Sequence, residues 1–242
     1  MSNRRDFLKH AGLLAASLPL TGALPAIALA DTSPTGDKWA QLRQLFNQDP
    51  AWLHFSNFLI TSHPTPVREA IERHRAALDN NPGMAMDWDL GVVEQREQNV
   101  RSWAARYLQA DPRQIALTGS TTEGLAMIYG GVQVRADQEI LTTEHEHYAT
   151  HSILELRNQR EGTRVRKIRL FDDTQSLSSE QILARIEQNI RPQTRVLGMT
   201  WVHSGSGVKL PIAEIGALVE RHNRQRAESE RLIYVVDGVH GF

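Results

Sequence analysis

Apolar residues recur at helical spacing and at strand-like spacing in turn along most of the chain. Thr65 and Pro66 suit the N-cap and the first position of a helix, and the sequence Asn-Asn-Pro-Gly at residues 80–83 ends it. A second helix is predicted from about residue 92 to residue 110. The apolar stripe of that helix consists of Val93, Val100, Trp103 and Tyr107.

After residue 110, short apolar runs alternate with helical patterns. Strands are predicted at residues 115–118, 139–142, 163–170, 195–202 and 232–236. Helices are predicted to start near residues 123, 149, 179 and 211. This alternation predicts an α/β fold with a mainly parallel sheet and helices on both faces. In such sheets, ligands bind at the carboxyl ends of the strands.

The first 30 residues follow a different pattern. Arg4 and Arg5 precede a mild apolar run, and Ala28 and Ala30 form a small-residue cleavage pattern. The layout resembles a twin-arginine export signal; an ordinary export signal and an uncleaved anchor are the alternatives. We therefore expect a signal peptide at residues 1–30, a linker at 31–38 and a folded segment at 39–242. The expected location is the periplasm, without membrane association after cleavage.

Composition narrows the class of function. The 242 residues are 40% hydrophobic and 23% charged, which is enough for one sizeable core, and the formal net charge is -1. A nucleic-acid partner is not expected, because such proteins carry strongly basic surfaces. The chain contains no cysteine, which excludes disulfides, thiolate metal sites and thiol nucleophiles within it.

Small polar side chains join a predicted strand to a predicted helix at residues 117–124. Ser120, Thr121 and Thr122 carry hydroxyl groups, and the free N–H groups of a helix start favour an anion such as a phosphate. Simple capping of the helix by Ser or Thr is the alternative. The segment is therefore a candidate anion site.

Three histidines follow the next predicted strand, namely His145, His147 and His151. This spacing suits a metal ion, because imidazole is a common zinc ligand. Thr150 stands where the best-known hydrolase pattern has an acid. Capping or surface imidazoles, and a flat ring that lines a ligand, are the other two interpretations.

Further polar groups follow the last two predicted strands. Ser204 lies in a Gly-Ser loop that permits close approach of a ligand. Asp237 ends the final strand and His240 follows it; a buried carboxylate there needs a partner, which a cap or salt bridge also provides. Taken together, a helix start, a flat ring and a carboxylate match the phosphate, ring and ring nitrogen of pyridoxal phosphate.

In order, these motifs resemble those of the class V aminotransferase family of fold-type I pyridoxal-phosphate enzymes, nearest to its isopenicillin N epimerase-like members. The likeness of T-G-S-T-T-E to the phosphate loop of the family implies that Thr121 and Thr122, with Ser120, bind the cofactor phosphate. The E-H-x-A stretch implies that His147 stacks on the cofactor ring as a catalytic residue.

The same resemblance implies roles for four more residues. The D-G-x-H stretch implies that Asp237 holds the pyridine nitrogen and that His240 is a catalytic neighbour of the ring hydroxyl. The H-S-G-S-G stretch implies that Ser204 lies near the cofactor, and the segment at residues 54–74 implies that Asn57 lies on the substrate side. No metal is implied.

The resemblance further implies a homodimer that acts on an amino acid through a Schiff base between the cofactor and a lysine. In the family, that lysine lies beyond the D-x-x-H motif, where this sequence stops. The lysines present are Lys9, Lys38, Lys167 and Lys209. We therefore expect a large domain without its small C-terminal domain, and little activity from these residues alone. The alternatives are a metal-dependent hydrolase built on the three histidines and a non-catalytic exported binding protein.

Overall fold

The computed structural model describes residues 37–55, 60–85, 87 and 90–241. The predicted signal peptide and the substrate-side Asn57 lie outside the described residues. The chain divides into two compact units, residues 1–75 and residues 76–242. All strands of the described residues belong to the second unit.

The first unit contains helix α1 (Lys38–Arg43) and the start of helix α2 (Thr65–Asn80). The Asp37 carboxylate accepts a hydrogen bond from the Trp39 amide at 3.0 Å, so the helix begins inside the predicted linker. The amide and hydroxyl of Thr65 both donate to the Leu45 carbonyl, at 2.7 and 3.0 Å. These two bonds fix the start of α2 at the predicted residue.

The second unit alternates helices and strands. In chain order its elements are α3 (Pro82–Ala85), α4 (Val92–Leu108), a 3-10 turn (Pro112–Gln114), α5 (Thr121–Gly131), β1 (Glu139–Thr143), α6 (Tyr148–Glu161), β2 (Arg164–Ile168), α7 (Ser179–Asn189), β3 (Thr194–Thr200), α8 (Ile212–Asn223), a second 3-10 turn (Glu228–Glu230) and β4 (Ile233–Asp237). The four strands are all parallel, in the order β2-β1-β3-β4. The predicted α/β fold with a parallel sheet is confirmed.

Each face of the sheet buries its own apolar cluster, because successive side chains of a strand point to opposite faces. Leu141 and Leu197 pack with residues of α7 and α8 on one face. Their neighbours Ile140 and Val196 pack with residues of α5 and α6 on the other. Helices therefore cover both faces, as predicted.

The predicted strand at residues 115–118 is wrong. Within the described ranges no strand pairs with this segment, and Leu117 is 43% exposed. The Thr118 hydroxyl instead donates to the Ser120 carbonyl at 3.1 Å. Local hydrogen bonding around the start of α5 thus takes the place of a sheet ladder.

The apolar stripe predicted on α4 is largely exposed. Its exposed members are Val100, Trp103 and Tyr107, at 53%, 64% and 74%. The predicted helix is confirmed, but its periodicity does not identify what covers the stripe. Within the described part of the chain, no helix combines the length and the apolar composition needed to cross a membrane.

The chain changes direction across the sheet between β1 and β3. It crosses from β1 to β2 on one side, and then returns past β1 to β3 and β4 on the other. Ligands of open parallel sheets bind outside the carboxyl ends of the strands at such a switch point. The strand order alone therefore predicts a ligand site at the carboxyl ends of β1 and β3.

Candidate functional site at the carboxyl edge of the sheet

Helix α5 starts at the carboxyl edge of the sheet, because it runs antiparallel to β1, which follows it. The Ser120 hydroxyl accepts from the Glu123 amide at 3.1 Å, and the Glu123 carboxylate accepts from the Gly119 amide at 2.7 Å. Ser120, Thr121 and Thr122 are all exposed. The predicted capping is therefore present, and the hydroxyls of the first turn still face solvent where an anion could bind.

Buried contacts hold α5 in place. Tyr129 lies against Gly198 of β3, where a Cβ atom would collide with the phenol hydroxyl. The buried Arg157 of α6 donates to the Tyr129 carbonyl and, at 2.9 Å, to the Val132 carbonyl, so it caps the far end of α5. The helix start is thereby positioned by residues that lie far from it in sequence.

Helix α6 begins at the same edge, directly after β1. His147 is its N-cap, and Nδ1 of the exposed ring accepts from the Ala149 amide at 3.3 Å. The ring centroid lies 4.2 Å from that of Tyr148. His147 thus combines the predicted capping role with a flat ring that is open to a ligand.

The three histidines of this segment do not converge. The ring of His145 stacks on Phe171 at 3.9 Å, and its Nε2 accepts from the Leu170 amide at 3.3 Å. Burial lowers the pKa of His145 and of His151. Among the described residues no group of three or more potential ligands could hold a metal ion. The metal-dependent hydrolase interpretation finds no support in this geometry.

Asp237 ends β4 and is only 6% exposed. Its carboxylate accepts from the Val239 amide at 3.3 Å, and no basic side chain of the described residues pairs with it. The partly buried His240 lies in the turn that follows, which the Gly241 amide closes by donating to the Gly238 carbonyl at 2.8 Å. Ser204 is exposed in the turn after β3.

A second buried acid, Glu146, lies at this edge. Its carboxylate accepts from the Thr143 hydroxyl at 2.6 Å and from the Thr200 hydroxyl. It is 7% exposed. Burial raises its pKa to about 7, and the negative charge of Asp237 adds to that rise while the two hydroxyls oppose it. Thr200 is also the register partner of Asp237, so the two acids lie on either side of the β3 terminus.

His203 is the most deeply buried polar ring of the edge, at 1% exposure. Neither ring nitrogen has a hydrogen-bond partner among the described residues. Its centroid lies 5.6 Å from His145 and 5.9 Å from Phe171. Burial, followed by the proximity of His145, lowers the pKa of His203 to about 4, so the ring is neutral near pH 7.

The roles predicted for the site residues stay predictions, and the structure describes where most of these residues lie. Seven predicted site residues belong to the described part of the carboxyl edge: Ser120, Thr121, Thr122, His147, Ser204, Asp237 and His240. Sequence reasoning assigned no role to Glu146 or His203. The position of Glu146 inside the E-H-x-A stretch is the one sequence signal that it belongs to the site. No sequence pattern indicates that His203 is buried.

Comparison with protein families matches residues 61–241 to the family described as aminotransferase class-V. Among its relatives, the cysteine desulfurase of Enterobacter sp. (strain 638) is 31% identical over 125 residues, which cover 50% of this chain and 30% of the relative. The mitochondrial cysteine desulfurase of Eremothecium gossypii is 32% identical over 136 residues, which cover 54% and 26%. The matched stretch spans less than a third of either relative.

Solved structures share the fold. A C-DES variant with glycine covalently linked to its pyridoxal-phosphate cofactor has a TM-score of 0.68 at 23% identity, over 84% of this chain and 50% of that one. A cysteine desulfurase from Escherichia coli has a TM-score of 0.64 at 20% identity, over 84% and 49%. The family match extends over three quarters of the sequence. The chain therefore belongs to the class V aminotransferase family.

Proposed function

We propose that this chain supplies the cofactor-binding part of a pyridoxal-phosphate-dependent enzyme that acts on an amino acid. The observation that carries the proposal is Asp237, a buried carboxylate with no basic partner in the described residues, at a strand end beside two helix starts. The cysteine desulfurases among its relatives support an amino-acid substrate. Because the chain spans under a third of those relatives, the activity is proposed for the whole protein.

The residues present fit this cofactor. Ser120, Thr121 and Thr122 would hold the phosphate, since their hydroxyls are exposed at a helix start that attracts anions. The exposed ring of His147 would stack on the cofactor ring. Asp237 would hold a proton on the pyridine nitrogen, because a buried carboxylate stabilises an adjacent cation. The bound cofactor supplies an electron sink for bond cleavage at the substrate Cα.

The remaining roles rest on sequence position. Ser204 and His240 follow β3 and β4 at the same edge, where Ser204 would lie near the cofactor and His240 would border the ring hydroxyl. Asn57 would face the substrate. The finer assignment to isopenicillin N epimerase-like members rests on the H-S-G-S-G stretch, whereas the two relatives described above are cysteine desulfurases. Low activity of these 242 residues alone stays a prediction.

Export and pairing belong to the same proposal. The paired arginines at residues 4 and 5 support export by the twin-arginine pathway to the periplasm. The exposed stripe of α4, together with the exposed Met127 and Ile128 of α5, supports pairing with a second copy, because exposed apolar patches mark interaction surfaces. Cell fractionation and sedimentation of the purified chain measure these two points.

Calorimetric titration of the purified chain with pyridoxal phosphate tests the proposal. We expect saturable binding, and we expect Asp237→Ala to weaken it by about tenfold to a hundredfold, the worth of one hydrogen bond to a charged group. The matched control is Glu144→Ala, which removes an exposed acid of the same edge.

Three results would count against the proposal. Equal affinity of the wild type and Asp237→Ala would remove Asp237 from the site. A folded wild type that binds no cofactor would instead favour the non-catalytic exported binding protein. Zinc bound in stoichiometric amount would revive the hydrolase interpretation.

A further inference from the structure

We propose that Glu146 is a positioning residue that is electrostatically coupled to Asp237 and thereby sets the total negative charge that faces the cofactor nitrogen. The inference rests on the proposed function for its role toward the cofactor. The coupling between the two carboxyl groups is a property of the chain alone, and it can be measured without any cofactor.

The position of Glu146 is fixed from two strands. The Thr143 hydroxyl at the end of β1 and the Thr200 hydroxyl at the end of β3 donate to its two carboxylate oxygens. The side chain therefore bridges the switch point between these strands, where open parallel sheets bind their ligands. A carboxyl group that served only as a helix cap would not need hydrogen bonds from the ends of both strands.

Asp237 is attached to the same strand end from the other side. It pairs in register with Thr200, and its carbonyl accepts from the Trp201 amide at 2.7 Å. Glu146 and Asp237 thus share Thr200 as a common neighbour. Any displacement of the β3 terminus would move both acids together.

Among the described residues, Glu146 receives side-chain hydrogen bonds from two threonine hydroxyls and forms no salt bridge. Two other titratable groups that face Glu146 are Tyr129 of α5 and Tyr234 of β4. Burial raises the pKa of both phenols, so each stays neutral. Burial and, after it, the negative charge of Asp237 raise the pKa of Glu146.

The protonation state of Glu146 sets the charge that lies beside Asp237. Burial raises the pKa of Glu146 to about 7, so this carboxyl group is neutral below that pH. A neutral Glu146 leaves Asp237 as the proposed partner of the protonated pyridine nitrogen. When Glu146 ionises, the second charge increases the hold of the site on that proton.

Infrared spectroscopy of the cofactor-free chain tests the coupling. The carbonyl stretch of a protonated buried carboxyl group should titrate with a midpoint near pH 7 and should be absent in Glu146→Gln. Asp237→Asn should lower that midpoint, because it removes the charge that opposes ionisation of Glu146. Thr200→Val should raise the midpoint by removing a donor to the carboxylate, and Glu144→Gln serves as the exposed control.

A purely structural role for Glu146 predicts a different result. The midpoint would then be the same in the wild type and Asp237→Asn, or no protonated band would appear, and either result overturns the proposal. Should Glu146→Gln fail to fold, the Asp237→Asn and Thr200→Val midpoints still decide the question.

A second measurement separates this inference from the proposed function. The pH dependence of the affinity for pyridoxal phosphate near the Glu146 midpoint should differ between the wild type and Glu146→Gln, since titration of the cofactor's own phosphate is common to both proteins. If the Glu146 midpoint shifts in Asp237→Asn but the chain binds no cofactor, the coupling between the two acids is supported and the proposed function is contradicted. Cofactor binding with equal pH profiles in both proteins would defeat the role of Glu146.

Discussion

The two edges of the same sheet each bury one glutamate, and they treat it in opposite ways. Glu139 begins β1 at the amino edge and is 5% exposed; Glu146 follows β1 at the carboxyl edge and is 7% exposed. The Arg166 guanidinium donates to Glu139 at 2.7 Å and the Thr194 hydroxyl donates at 2.8 Å. Glu146 receives two hydroxyls and no cation among the described residues.

The pKa values follow these surroundings. Burial alone would raise the pKa of Glu139, but the Arg166 guanidinium and the Thr194 hydroxyl outweigh it and lower the pKa. At Glu146 burial prevails, and the pKa rises to about 7. At the amino edge the buried glutamate has a paired cation, whereas Glu146 at the carboxyl edge has none among the described residues. Under the proposed function, this contrast separates a structural edge from a binding edge when burial does not.

The largest effect is expected from removing the cation of the amino edge. Arg166→Met should lower the free energy of unfolding by about 3 to 5 kcal/mol, because it leaves Glu139 buried without a countercharge. Urea unfolding at neutral pH measures it. The control is Arg169→Met, whose side chain is 59% exposed and pairs with Glu144, and which should change stability by under about 1 kcal/mol. Equal effects of both substitutions would remove the contrast between the edges.

A smaller effect is expected at Glu146, where ionisation of the wild-type side chain, and not a substitution, reduces the stability of the fold. The folded chain holds this proton until about pH 7, while the ordinary value is 4.5, so stability is highest below that value and falls as pH rises to 7. We expect the wild type to lose about 3 kcal/mol over this range relative to Glu146→Gln. Unfolding curves of both proteins from acid to neutral pH provide the measurement, and parallel curves would contradict it.

The smallest effect is expected at His203. Its pKa of about 4 lies below the ordinary 6.5, so the neutral ring stabilises the fold above pH 6.5 and that contribution is lost as pH falls toward 4. His203→Asn should retain about 2 kcal/mol more stability than the wild type over that interval. Acid unfolding followed by circular dichroism measures it, with the exposed His74→Asn as control. An identical acid limb in the two variants would show that His203 does not titrate with unfolding.

Much of this arrangement could be predicted from the sequence, because its causes are local. Alternating periodicity predicts the parallel sheet, and parallel strands bring Ser120, His147 and Asp237 to one edge whatever the exact register. The strand predicted at residues 115–118 is wrong, because hydrogen bonds at the start of α5 take precedence over an apolar run of only three residues.

The remainder depends on distances that the sequence does not contain. Thr143 and Thr200 reach Glu146 from two neighbouring strands whose pairing is irregular: Glu139 faces Thr194, while Ile140 faces Val196. The burial of His203 requires the loop after β3 to fold back. In that loop the His203 amide donates to the Val208 carbonyl, and Gly207 has a φ of 72°. Neither event leaves a periodic signal along the chain.

The contact between Tyr129 and Gly198 has a consequence for how mutations of this protein would be read. Position 198 lies inside a strand, touches no proposed ligand atom and carries no chemistry, yet even alanine would collide with the phenol there. In a saturation screen scored by loss of function, it should rank beside Asp237. Loss of function would therefore mark both positions needed for binding or chemistry and positions needed for folding. A separate measurement of protein abundance would distinguish these two classes.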